Sequence, residues 1–462
     1  MDIAARLAPL ALAFALAIQP SAQSQDAPRL PLDPPPAARP GPGDGEQVDR
    51  AAGDLARRLF DARPTPFDQA DVAGLPPGSN LPLLTWERAY RLAMIRARAE
   101  PPIRFETLDP GRLDAEAARL GLDDFARFRA EFVAARALRD PAADFLDLQV
   151  RLVRIEDARA YLARVERWTE VLKELINGEA SGLGQIDLDL SNSAAIAARR
   201  DLGRLVGEYR DRLDEFKVAL GLAPRAAVAV DLAPLQAFRD TFAAIDRWGL
   251  GAKRELSDLN AIVGQLPPPG DLVIGGRPIL EALEQGEDRL DGTLTLATRV
   301  ALGNRHERDE PADAVELRAR RRVRRLAEIR QEYVSELRSI VLAARLVDTA
   351  FEQIIAPPAG AVPRPGGPAT ASLIEAGRQL VEHRGRAVAL WAGFQAERLA
   401  ADRDLGLVIA PDWPAFLARF TARPRPADAA GAATTAPAVA PAPPGPPPLG
   451  PPDPPLPPPV RP

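Results

Sequence analysis

Twelve apolar or small residues between Ala314 and Ile355 recur with the period of a helix seam, and this pattern limits the fold more than any other feature of the chain. Val315, Ala319, Val323, Leu326, Ile329, Tyr333, Leu337, Ile340, Ala344, Val347, Phe351 and Ile354 follow one another at steps of 4, 4, 3, 3, 4, 4, 3, 4, 3, 4 and 3. The mean step is about 3.5, the period of a narrow coiled-coil seam and not of the broader stripe on a globular helix. An unbroken helix over 314–355 would be about 63 Å long at 1.5 Å per residue. The body that contains it is therefore elongated.

A second long pattern runs through Phe145, Leu148, Leu152, Ile155, Leu162, Val165, Trp168, Leu172 and Leu175, with Arg159 at one seam position. It stops at Asn177-Gly178. A Gly-rich turn follows, with Gly182 and Gly184, and either Ser191 or Ser193 is suited to cap a return helix that reaches Leu220. Helix, glycine turn and helix make an antiparallel hairpin, with Gly178, Gly182 and Gly184 as the turn candidates. Upstream, Asp140-Pro141 suits either an N-cap with Pro at the first helical position or a kink in one longer helix. The fold class expected is all-α: long antiparallel coiled-coil hairpins with little or no β structure.

The ends of the chain read differently. Residues 1–24 carry Arg6, an apolar run from Leu7 to Ile18 and Ala22-Gln23-Ser24, the pattern of a cleaved secretory signal peptide. That run is shorter than the roughly 18–20 residues a spanning helix needs. Residues 25–80 are dense in Pro and Gly and read as an extended linker, with one short helical candidate at Gln47–Phe60. The segment 424–462 holds 17 of the chain's 49 prolines, which points to a disordered, polyproline-like tail.

The helical region repeats itself. LTWERAYRLA at Leu84–Ala93 returns as LTLATRVALG at Leu294–Gly303, and YRDRLDEFKVALGL at Tyr209–Leu222 returns as FQAERLAADRDLGL at Phe394–Leu407. In each half a glycine, Gly221 or Gly406, follows the last periodic Leu, where a left-handed helix stop is expected. Two matches in the same order indicate a tandem duplication of one helical unit. The organisation that follows is repeat 1 at 81–245, a connection at 246–290, repeat 2 at 291–415 and the tail from 416.

These segments, with FARFRAEF at Phe125–Phe132, SGLGQIDL at Ser181–Leu188 and LDEFKVALGLAP at Leu213–Pro224, resemble the TolC-type outer-membrane efflux proteins. The likeness is patchy over about 84–413 and strongest in 121–232 and 371–413. It implies a homo-oligomer, a trimer in that family, in the outer membrane or periplasm. It also implies a passive duct of long helices under a membrane β-barrel, with a periplasmic adaptor and an inner-membrane pump as partners. The departures fall where the barrel strands belong. Between Ala99 and Gly121 the prolines Pro101, Pro102 and Pro110 and Gly111 leave only Ile103–Leu108 as a strand candidate, and a membrane strand needs about 9–11 residues. The second such gap, Asn304–Asp313, is charged and offers none. Val228–Leu232, Leu272–Gly275 and Leu407–Ile409 are the other short extended candidates. The alternative expectation is a periplasmic helical scaffold or interaction protein without a pore.

No catalytic pattern stands out. With zero Cys there is no thiolate chemistry, disulfide or lipoprotein anchor, and neither a phosphate-binding loop nor a GxSxG elbow is present. The two histidines, His306 and His383, lack partners at metal-ligand spacing and read as solvated residues on charged faces. The expectation is a non-enzyme without cofactor or metal. A formal net charge of −5 gives no general attraction to nucleic acid, and mean hydropathy of −0.15 is too polar for a multi-helix membrane protein. One run, Arg318 to Arg325, has six Arg in eight residues. It reads as a solvated helix surface offset by Glu316, Glu328 and Glu332, or as a surface for anionic envelope groups.

Overall fold

The computed structural model describes residues 67–76, 78–121, 141–177, 183–248, 255–271, 273–274, 277–280, 312–355 and 368–405. Helix accounts for 80% of them and strand for 2%, so the protein is essentially all-α. The helices are α1 (Gln69–Val72), α2 (Trp86–Arg98), α3 (Pro110–Arg119), α4 (Pro141–Asn177), α5 (Gln185–Ala219), α6 (Gln236–Trp248), α7 (Leu256–Val263), α8 (Ala312–Ile355) and α9 (Pro368–Leu405). Four of these are long, with α8 running for 44 residues.

The long seams explain the pairing of these four. On α8, Ala319, Val323, Leu326, Ile329, Tyr333, Ile340, Ala344 and Phe351 are buried, as the spacing predicts. On α4, Phe145, Leu148, Leu152, Ile155, Val165, Trp168 and Leu172 are buried in the same way. α8 packs along α9, α4 packs along α5, and α9 lies against α4 and over a shorter stretch against α5. The outer helices are thus α5 and α8. Tyr161 of α4 donates to the Ile374 carbonyl of α9 at 3.1 Å, and Trp168 meets Phe351 edge-on at 6.3 Å. Both contacts place the end of α4, the end of α8 and the start of α9 at the same end of the four helices.

The return helix begins earlier than the serines suggest. α5 starts at Gln185 with Gly184 as its N-cap, and the Gly184 N–H donates to Asp187 Oδ2 at 3.0 Å. Ser191 instead sits buried inside the helix, its Oγ 2.7 Å from Thr169 Oγ1 on α4. A carboxylate three residues into the first turn meets the exposed backbone donors and the positive end of the helix dipole together, which a serine further along cannot do.

At the far end the short elements close over the core. Thr85 caps α2 by accepting from the Arg88 N–H at 3.3 Å, and Asp109 caps α3 with Pro110 in its first turn. Trp86 packs edge-on against Phe145 at 5.7 Å, and Phe145 lies 6.3 Å from Phe216. The strand β1 (Leu83–Leu84) pairs in parallel with β2 (Ala229–Val230), and β3 (Val273–Ile274) pairs antiparallel with β4 (Arg277–Pro278).

Two segments depart from the sequence reading. In the stretch expected to be linker, Ala70 and Val72 are buried, and the Gln69 amide exchanges two hydrogen bonds with Val230, both 2.8 Å. A side chain can thus complete the edge of a two-stranded sheet, a link between residues 161 apart that local composition does not reveal. The strand candidate Ile103–Leu108 holds only an isolated bridge from Phe105 to Leu222, closed by hydrogen bonds of 3.0 and 2.8 Å to residues 221 and 223. With α3 behind it, this segment lies on the helical body.

Candidate functional site

The glycines singled out in the sequence do not converge. Gly221 sits at φ +81° just past α5, and Leu222 N–H returns to the Lys217 carbonyl at 2.8 Å, the wrap of a Schellman stop. Gly184 is an extended N-cap at φ −139°, a conformation open to any residue. Gly178, Gly182 and Gly406 lie outside the described residues, as does the repeat segment 294–303.

A different group of residues meets where α4, α6 and α9 join. Arg384 of α9 is 0% exposed and donates to Asp157 of α4 at 3.1 Å and to Asp246 of α6 at 2.7 Å. Arg164, two turns along α4, donates to the same Asp246 oxygen at 3.0 Å. The Arg384 guanidinium also covers the Phe242 ring at 5.2 Å. Nearby, Arg239 of α6 grips Glu156 of α4 through a two-point pair at 2.6 and 2.8 Å. Phe238 of α6 completes the junction, 5.7 Å from Trp391 of α9.

The electrostatics of this junction are those of a lock. Burial pushes the Asp157 carboxyl up, and Arg384 offsets this only in part. Burial also opposes the charge on Asp246, but Arg164 and Arg384 together outweigh it and hold that carboxyl below the ordinary range. Two guanidiniums thus face two carboxyl groups, and Asp157 Oδ2 is buried without a hydrogen-bond partner. Beside them a cleft of about 420 Å³ opens between α4 and α6, bordered by Phe67, Asp157, Arg159 and Arg239. Arg159, read as a seam residue, instead turns to Asp71 of α1.

Sequence reasoning missed this junction, although a signal was present. On α9 the buried residues Ala376, Leu380, Ala387, Val388, Trp391 and Phe394 form a seam, and Arg384 occupies the position four after Leu380. A charged residue at a seam position needs a buried partner. His383 corrects another expectation. It is not a solvated residue, since its Nδ1 lies 2.5 Å from Glu336 of α8 with that carboxylate 13% exposed. His306 lies outside the described residues. Among the described residues no group of three potential ligands is placed to hold a metal, and no helix is long and apolar enough to cross a membrane.

The remaining candidate is a surface. Of the nine large apolar residues exposed among the described residues, four lie on α5 and four on α8. They are Ile186, Leu190, Ile196 and Val218 on α5, and Leu317, Val334, Leu342 and Leu346 on α8, at 38–63% exposure. The inner helices α4 and α9 carry none. No family model, curated protein or solved structure matches the chain.

Proposed function

We infer that the chain is the protomer of a ring of long helices, an export duct of the outer-membrane efflux type, whose copies join edge to edge through α5 and α8. The observation that carries this reading is the concentration of exposed apolar side chains on the two outer helices, which hold eight of the nine, the ninth being Leu256 of α7. Singly exposed aliphatic residues are ordinary on a monomer, but their gathering on two helices, with none on α4 or α9, is the distribution an association surface gives. Because one edge is α5 and the other α8, the contact is heterologous, and heterologous contacts build rings when the rotation closes. The sequence resemblance supplies the rest: delivery to the envelope, an adaptor and pump as partners, and passive conduction of cargo through the ring.

The chain has no cysteine, so Ile196→Cys/Leu342→Cys gives a defined cross-linking pair. Oxidation is expected to produce covalent oligomers from the double variant and none beyond dimers from either single variant. A double variant that stays monomeric would refute edge-to-edge assembly. A second reading, a periplasmic scaffold of the same helices without a pore, is favoured by the position of 99–121, which lies against the body through Phe105 and α3. Alkaline-carbonate washing of envelopes separates the two. Retention as a heat-sensitive oligomer in the outer-membrane pellet supports the duct, and release into the soluble fraction supports the scaffold.

A further inference from the structure

The two outer helices carry charge as well as apolar groups, and their heights can be matched through the inner helices. Thr169 of α4 meets Ser191 of α5, and Arg151 of α4 meets Glu208 of α5. With equal rise along both helices, the height of Asp157 falls at about residue 202 of α5. Asp157 in turn meets Arg384 of α9, and the adjacent His383 meets Glu336 of α8. Glu336 therefore stands level with that same point on α5.

From this level, residue numbers fall along α8 as they rise along α5. Leu342 comes to the height of Ile196, and Arg324 comes to the height of Asp214, with Arg321 a turn further out. The faces agree too. At 100° per residue, Arg321, Arg324 and Leu342 lie within about 60° of one another on α8, and Ile196, Asp211 and Asp214 within about 60° on α5. Glu215 stands one turn beyond Asp211. On each edge three of the four exposed apolar residues thus lie in the half toward the end of α4 and the start of α9, and the other half is rich in charge, with Val218 and Leu317 within it. In that half α8 is basic, while α5 is mixed, with Asp211, Asp214 and Glu215 standing among Arg210, Arg212 and Lys217.

Arg321 and Arg324 are exposed, and no carboxylate pairs with either among the described residues. The neighbouring Arg320 and Arg325 are held by Glu316 and Glu328 of their own helix, and Arg322 by Glu397 of α9. On α5, Asp211 is exposed and has no cation paired with it among the described residues, and Glu215 is 67% exposed with only its helix neighbour Arg212.

We propose that Arg321 and Arg324 on α8 of one copy engage Asp211 and Glu215 on α5 of the next, so that charge fixes which edges meet and at what height. The proposal rests on the edge-to-edge reading above. In a ring closed by rotation about an axis along the helices, heights are preserved between copies. Arg321 and Arg324 of one edge then face Asp211 and Glu215 of the other while Leu342 faces Ile196. A parallel α8–α8 contact would place the arginines against each other, and like charge discriminates against that pairing.

The test uses the full chain carrying Ile196→Cys/Leu342→Cys, with cross-linking rate at low salt as the readout. Adding R321E/R324E is expected to slow cross-linking about tenfold, and adding D211R/E215R as well is expected to restore it. Raising the salt to 1 M should erase most of the difference, because exposed charges are screened beyond about 3 Å there. Restoration by the reversed pair excludes misfolding of the first variant as the cause. If R321E/R324E cross-links at the parent rate, the charge code is wrong, including the case in which it loses only adhesion to anionic phospholipid vesicles and the arginines serve a membrane surface. If the parent cysteine pair itself fails to cross-link, it is the edge-to-edge reading that falls.

Discussion

Arg384 and Asp157 are joined at 3.1 Å between α9 and α4 at a point where the arginine has no exposed surface. The same arginine reaches Asp246 of α6, so one side chain ties α9 both to α4 and to the shorter helix α6. Replacing Arg384 by Met is expected to cost about 3–5 kcal/mol, because two carboxylates lose a buried partner at once. Chemical denaturation with urea measures it. The double variant Arg384→Met/Asp157→Leu should recover a large part of that loss, since an apolar pair of similar volume carries no desolvation penalty and Asp246 keeps Arg164.

Asp246 gives this junction a defined pH response. Its folded carboxyl lies below the ordinary value of 3.8, so the folded state holds the proton less tightly than the unfolded chain. The stability it contributes is fully present above that ordinary value and is lost as pH falls through the lowered folded one. Asp157 is shifted upward and acts in the opposite sense, its ionisation lowering stability as pH rises above 3.8. Asp246→Asn should therefore be less stable than the parent at pH 7 by about 3 kcal/mol, and the gap should close below pH 4. Paired urea titrations at the two pH values measure this, and a gap that is constant with pH would contradict it.

The extent to which these features can be read from sequence depends on how local their causes are. The α8 seam is legible because each step of 3 or 4 repeats a single requirement, burial on one line, and from Ala319 to Phe351 all its members but the half-buried Leu337 and Val347 meet it. Gly221 is legible because a helix stop is a property of adjacent residues. Arg384 is not legible in the same way, because its partners are 227 and 138 residues distant and lie on different helices. The serine caps proposed for α5 failed for a related reason. Ser191 has the chemistry of a cap, but Thr169 across the hairpin offers its hydroxyl a partner, while Gly184 and Asp187 close the helix start.

That hydroxyl pair is itself open to measurement. Thr169 Oγ1 donates to the Val165 carbonyl at 2.9 Å, which leaves Ser191 to donate to Thr169 at 2.7 Å. Thr169→Val removes the acceptor and strands a buried donor, at an expected cost of about 1–3 kcal/mol. Ser191→Ala in the same background should cost much less than it does alone, because the stranded group is gone. A double-mutant cycle with additive values would show that the two hydroxyls do not interact.

Gly221 is held by two constraints at once. Its φ of +81° is one that side chains rarely adopt, and a Cβ there would stand 3.2 Å from the Ile103 carbonyl oxygen. Gly221→Ala is expected to lose about 1 kcal/mol or more from the backbone conformation alone, with the close approach adding to it. A thermal melt that matches the parent would remove both arguments.

Glycines inside the long helices should behave in opposite ways according to what faces them. Gly203 on α5 and Gly393 on α9 have nothing within 4 Å of a Cβ, so alanine at either restores helix propensity into open space. Each substitution should raise stability by about 0.5–1 kcal/mol. Gly377 on α9 differs, since a Cβ there would come within 3.0 Å of Tyr161 Cε2. Tyr161 cannot retreat freely, because its hydroxyl is committed to the Ile374 carbonyl at 3.1 Å. Overpacking of this kind costs about 1–3 kcal/mol, as much as or more than the propensity gain. Gly377→Ala should therefore leave stability unchanged or lower it while Gly393→Ala raises it. Equal gains at the two positions would mean that α4 and α9 are further apart at Tyr161 than described.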